Sequence, residues 1–305
     1  MEAEPLTRLR AWATSLSPID RYVQAGRSVL AAAQICNLVF ITDDVAFTAA
    51  ERPAGPCASN WLSIWCADMS VTGGTGLARA LSLITLAAVM LGFKARLTCI
   101  PHFVVTLSIA LAFTVNTGGE RVATIVTALL IPICLSDDRS WAWAAAPHPR
   151  PARREDGAAA AAILTIRIQL AVVYIVASLT KVVTPGWGTG GWIQSVLLDP
   201  TFGMPSMILT PLLPLVENHL VMTFIEVGVV AAELIIAAGI CGNRRMRLLA
   251  LMLGLALHSS IGVLMGLPAF SLAMLGSLLV ACAGSRQDTR SRVAASQLMS
   301  AEEAQ

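Results

Sequence analysis

Apolar runs long enough to cross a membrane recur along this chain at 26–47, 77–93, 97–115, 121–135, 161–183, 219–240, 247–266 and 268–284. A span needs about 20 mostly apolar residues. Its backbone must satisfy its own hydrogen bonds in lipid, which selects the helix. Composition agrees: 56% of residues are apolar and 13% charged, where soluble domains carry about 25% charged residues. The expected fold is therefore an all-α, polytopic membrane bundle of about eight transmembrane helices. The fourth run is short. The segment 202–218 is apolar too, but Pro205, Pro211 and Pro214 argue against a regular span there, leaving a re-entrant or interfacial segment.

Charge sets the orientation. An even number of spans puts both termini on one side. With that side cytoplasmic, three of the 21 Lys and Arg fall outside (Arg52, Arg79, Arg121), two lie within the fifth span (Arg167, Lys181) and the other sixteen lie inside. This is the positive-inside pattern. The first run begins after a basic lead-in and is followed by further spans, so it reads as a retained helix rather than a cleaved signal. The domain reading is a cytoplasmic segment 1–25, a transmembrane domain 26–285 and a disordered cytoplasmic tail 286–305, in a plasma membrane. Cys57 and Cys66 share the first outer loop, where an oxidising compartment allows a disulfide. The same loop holds Trp61 and Trp65, four residues apart, as a short helix resting on the membrane interface. The inner loop 136–160 is basic and broken by prolines. No metal-binding spacing occurs, and nothing points to nucleic acid.

Ionisable residues inside spans are costly and by default suggest function. Arg167, Tyr174 and Lys181 recur every seven residues and so share one face of the fifth span. Arg167 reads as a snorkelling anchor at the inner headgroups. Lys181 has two readings. It snorkels to the nearest water, or it sits in a polar pocket where burial favours the neutral amine and makes a base. Glu226 and Glu233 share a face of the sixth span, Glu226 placed to neutralise Lys181 and Glu233 nearer the middle. His258 of the seventh span is at a depth from which it can face the same cavity, although hydrogen-bonded helix packing also explains it. Asp43 and Asp44 read as an exposed helix end. The turn "PGWGTGGW" is either an interfacial belt or a loop folded over a pocket mouth.

The stretch "QLAVVYIVASLTKVVTPGWGTGGW", with "LLDPTFGMP" after it, resembles the sporulation-delaying protein B family. That family is a bacterial branch of the HTTM (horizontally transferred transmembrane) proteins related to vitamin K-dependent gamma-carboxylase. The matching positions are Gln169, Tyr174, Ala177, Ser178, Lys181, Trp187 and Gly190, with His258, Met265, Gly266 and Phe270 later and "LSDDRSW" in the inner loop. The resemblance implies that Lys181 is the base that deprotonates a reduced quinone (vitamin K or menaquinol-like), with His258 in the same pocket. It implies that Tyr174, Trp187 and Glu226 line the cofactor site. The chain departs from the carboxylase at Thr180, where that enzyme has a second lysine, and at Val182 and Val183. The large lumenal domain has no counterpart among these residues, so glutamate carboxylation does not follow. The implied partners are a secreted peptide substrate, a small protein of the sporulation-delaying protein A type and membrane lipids. Two functions stay open: a carboxylase-like, quinone-dependent enzyme that matures a toxin-like peptide, or a non-enzymatic binding, immunity or export module for one.

Overall fold

The computed structural model describes residues 21–47, 57, 62–113, 117–144, 154–200 and 203–283. Residues 1–20 and 284–305, which hold most of the lead-in and the whole tail, lie outside this set, as does Trp61. The described residues form twelve helices and no strand beyond one isolated bridge. In chain order they are α1 (Arg21–Phe40), α2 (Asp43–Ala46), α3 (Ile64–Thr72), α4 (Gly76–Leu91), α5 (Ala95–Ala112) and α6 (Gly118–Leu135). Then follow α7 (Arg154–Val183), α8 (Gly191–Leu197), α9 (Ser206–Val216), α10 (His219–Cys241), α11 (Arg244–Leu264) and α12 (Pro268–Ala281).

Each of the eight apolar runs becomes a helix. Five of them, α5, α6, α10, α11 and the 157–183 part of α7, are long and apolar enough to cross a membrane. The chain is thus a polytopic membrane helical bundle. The other three differ for separate reasons. α4 and α12 are apolar but have only 16 and 14 residues, about 24 and 21 Å at 1.5 Å per residue. α1 has 20 residues but buries Gln24, Arg27, Gln34 and Asn37 in the bundle. It also stops at Phe40, short of the expected end at 47, and α2 follows as a separate turn. The proline-rich segment is a regular helix of 11 residues that takes Pro211 and Pro214 inside it. Its length, about 16 Å, still falls well short of a span.

Contacts between loops fix which helix ends lie together. Asp43 pairs with Arg79 at 2.5 Å, and Thr75 donates to its other oxygen, joining the end of α1 to the start of α4. Asp43 and Asp44 lie exposed at a helix end, as expected, and Asp43 is in addition held by these partners. Asn37 donates to Glu120 at 2.9 Å, bringing the start of α6 to the same end. At the opposite end, Phe93 bridges Trp141, so the α4–α5 turn meets the loop after α6. There Asp137 and Arg139 form a buried ion pair at 2.8 Å.

The Cys57–Cys66 disulfide ties the preceding chain to α3. Trp65 beside it does not rest on a membrane surface. It is fully buried, 5.4 Å from Phe113 and 6.4 Å from Phe47 between ring centroids. Asp68 of α3 accepts from the Ala78 N–H and the Thr72 hydroxyl, bonds that hold its carboxyl below the usual aspartate range.

Among the described residues, α1 and α12 pack together more extensively than any other pair of helices. Their axes approach so closely that a β-carbon on Gly276 would lie 2.8 Å from the Leu30 nitrogen, and one on Gly26 would lie 2.6 Å from the Gly276 carbonyl oxygen. Small residues permit such backbone contact between membrane helices, where no hydrophobic effect drives association. Gly276→Val forces α1 and α12 apart and costs about 1–3 kcal/mol by overpacking. It is expected to lower the melting temperature of detergent-solubilised protein, while Gly228→Ala, whose added carbon meets nothing within 4 Å, leaves it unchanged.

Candidate functional site

Lys181 is near the C-terminal end of α7, yet it does not snorkel out past that end. The Cα–Cβ bonds of a helix tilt towards its N-terminus, so the side chain is aimed back into the bundle. There Nζ meets Glu233 Oε1 of α10 at 2.7 Å. Ser178, one turn earlier on the same face, donates to Glu233 Oε2 at 3.1 Å. The Lys181 side chain keeps a quarter of its surface exposed, and the Trp187 ring centroid is 5.8 Å from its charge. Two turns down from Lys181, Tyr174 Oη and His258 Nε2 of α11 are 2.7 Å apart, both side chains buried. The edge of Phe270 from α12 packs on the imidazole, with 5.8 Å between centroids.

The heptad-spaced face of α7 thus carries Tyr174, Ser178 and Lys181 in a strip about 10 Å long, met by His258 and Glu233 from the next two long helices. Two buried polar atoms here have no hydrogen-bond partner, His258 Nδ1 and Trp187 Nε1. A neutral imidazole offers one donor and one acceptor. The Tyr174 contact uses one of these, and the other has no partner. A tyrosine–imidazole couple and a lysine–carboxylate pair are both proton-transfer groups.

Glu226 has a different task from the one expected. It does not neutralise Lys181, a place that Glu233 takes. Fully buried, its carboxylate accepts the N–H groups of Gly188 at 2.6 Å, Gly190 at 2.9 Å and Ile193 at 3.0 Å. These belong to the glycine turn and the first turn of α8, so the carboxylate occupies an anion position at a helix N-terminus. Gly186, Gly188 and Gly190 all have φ between 84° and 87°, which side chains with a β-carbon rarely adopt. Gly190 is also too close to the His219 carbonyl, 2.5 Å, for any β-carbon. The turn is therefore a loop pinned to α10 by Glu226, and it presents Trp187 to Lys181.

Arg167 is not a headgroup anchor. It is buried, and donates to the carbonyls of Ala281 at 2.9 Å and Ala283 at 2.7 Å, closing the C-terminal end of α12. Among the site residues, the roles of Ser178, Phe270 and Glu233 escaped the sequence reading, although the i−3 spacing of Ser178 from Lys181 placed it on the same face.

Comparisons with known proteins agree with a bacterial membrane protein. Sporulation-delaying protein SdpB of Bacillus subtilis (strain 168) is 25% identical over 276 residues, 90% of this chain and 85% of that protein. The uncharacterised protein YitO of the same organism is 26% identical over 257 residues, 83% of this chain and 82% of its own. No protein-family model and no solved structure matches. The chain is a multi-pass bacterial membrane protein, similar to SdpB along nearly all of its length.

Glu226→Ala removes the acceptor of three backbone N–H groups and frees the glycine turn. Amide hydrogen exchange at Gly188, Gly190 and Ile193 is expected to quicken by about tenfold or more, with exchange in α5 and α6 unchanged.

Proposed function

We propose that this protein matures or modifies a secreted peptide in the bacterial cell membrane, with Lys181 as its base and Glu233 as the group that frees it. The observation that carries this reading is the inward turn of Lys181 onto Glu233, beside the Tyr174–His258 couple. In the ion pair the lysine lone pair is occupied by a proton. Passing that proton from Nζ to Glu233 Oε1, across 2.7 Å, leaves a neutral amine and a neutral carboxylic acid. The amine then takes a proton from the reacting group, and Ser178 keeps the carboxyl in place. Tyr174 and His258 hold a second proton position deeper in the same strip.

The residues fit a reduced quinone as cofactor. His258 Nδ1 and Trp187 Nε1 are unpartnered polar atoms for its oxygens, and the Trp187 and Phe270 rings are apolar surfaces for its plane. Such a quinol supplies an acidic hydroxyl and reducing equivalents. Similarity to a sporulation-delaying protein supports a peptide substrate and a small partner of the sporulation-delaying protein A type. In the proposed topology eight helices alternate across the membrane with both termini in the cytoplasm. The Cys57–Cys66 disulfide, which forms in oxidising compartments, supports an outward position for the end of the bundle that also holds Lys181.

A second reading is a non-enzymatic module that binds, exports or gives immunity to the peptide, and the closed Lys181–Glu233 pair favours it as a structural clasp. Two variants separate the readings. Lys181→Arg keeps a cation for Glu233 but cannot lose its proton, whereas Lys181→Ala removes both functions. Mass spectrometry of the peptide made with each variant is expected to give a loss of maturation of about 100-fold or more in both. Full maturation with Lys181→Arg leaves the clasp reading standing instead.

A further inference from the structure

Away from Lys181, the helices α3, α4 and α5 line a groove of about 420 Å³ at the end of the bundle that carries the Cys57–Cys66 disulfide. On α4 its wall runs from Leu77 to Thr85, eight positions or about 12 Å at 1.5 Å per residue. α5 runs the other way and supplies Val105, Val104 and Pro101. Small side chains leave the space: Ala67 of α3 and Ala78 and Ser82 of α4 stand where larger residues would fill it.

Polar groups are few along this groove. The Asp68 carboxylate and the Thr72 hydroxyl, bonded to each other at 2.8 Å, sit at the disulfide end. Further in, only the hydroxyls of Ser82 and Thr85 interrupt an apolar wall. The rims are Leu77, Leu81 and Val104, all exposed. Exposed apolar side chains on a membrane bundle face hydrocarbon, so the groove opens sideways to lipid. Close-packed interiors rarely leave voids larger than a water, and apolar cavities stay dry and take up apolar guests. The volume also lies within the range of about 300–1,000 Å³ typical of ligand sites.

We propose that the groove holds one acyl chain of a phospholipid, drawn from the leaflet on the disulfide side, as a fixed part of the folded protein. One leaflet offers about 15 Å of hydrocarbon, half of a core of about 30 Å. A chain hanging from a headgroup at that face follows the groove for most of this depth. The headgroup then lies beside Asp68 and Thr72, at the polar end. A helix from another chain does not fit. About 10 Å across, it needs about 900 Å³ over the same length, more than twice the space. Held on three sides by α3, α4 and α5, the acyl chain exchanges more slowly than lipid lying against a convex helix face. The Lys181 site is built from α7, α10, α11 and α12, so the groove is separate from it and does not rest on the function proposed there.

The test reconstitutes the full chain with phosphatidylethanolamine carrying a diazirine in one acyl chain, transfers it to lipid-free detergent and then irradiates. Peptide mass spectrometry locates the adducts. Label on 77–85 and 101–105 is expected to exceed that on the exposed Phe224 and Leu234 of α10 by about tenfold. Ala67→Trp, which puts a ring into the groove, is expected to cut groove labelling by about tenfold, and Leu234→Trp to leave it unchanged. Label spread evenly over the exposed helix faces overturns the proposal. So does groove label undiminished by Ala67→Trp. A groove without label overturns it too, and a quinone or peptide then extracted from the purified protein identifies a different occupant. Where Ala67→Trp does not yield monodisperse protein, Thr85→Phe, at the inner end of the groove, decides in the same way.

Discussion

Inside a hydrocarbon layer no solvent is at hand to complete a hydrogen bond, and the ends of helices are where backbone groups are left over. This structure meets that constraint with long charged side chains. Arg167 closes the end of α12, and Arg247 donates to the Gly242 carbonyl at 2.7 Å where α10 ends. Glu226 gathers the N–H groups that open α8, and Glu120 forms the capping box of α6. Cations fall at helix C-termini and anions at N-termini, as the helix dipole favours. Most charge in the bundle is thereby committed to chain geometry. What stands apart is a short set, Lys181 with Glu233, Arg27, and the histidines 102 and 258.

That division explains why one face of α7 carries two unlike roles. Arg167 and Lys181 share the heptad register and both point back towards the start of the helix. For Arg167 that direction leads to the unsatisfied carbonyls of α12. For Lys181 it leads to the interior of α10 and a carboxylate. The same geometric rule yields a cap in one case and an ion pair in the other, and the neighbouring helix decides between them.

The helices were legible because hydrophobic runs of this length have few alternatives, and every expected span has its helix. Their ends were less so: α1 stops at Phe40 because the following residues turn to bring Asp43 to Arg79, a pairing 36 positions apart that no local pattern announces. The heptad of Arg167, Tyr174 and Lys181 was visible, and it brought Tyr174 and Lys181 into one strip. The partner of Lys181 was misassigned because depth alone favoured Glu226, while the glycine turn folds down and takes that carboxylate for itself. Trp65 read as an interfacial residue because its burial depends on Phe47 and Phe113 from distant segments. The polar face of α1, Gln24, Arg27, Gln34 and Asn37, carried helical spacing in plain view. Hydropathy averages it away, and so the run registered only as a span.

The glycine-to-glycine contact between α1 and α12 also has a bearing on how the chain is made. Synthesis delivers α1 to the bilayer well before α12, so the groove that Gly26 offers has no occupant until α12 has left the ribosome. Through that interval α1, with its buried arginine and amides, depends on helices that arrive in the middle of translation, α5 and α6, for its polar contacts. Closure of this seam is then a long-range event joining segments far apart in sequence, the kind of step that is slow to form and leaves intermediates exposed. A nascent chain cut short before α12 keeps an unsealed seam along its first helix, which is a natural mark for membrane quality control to read.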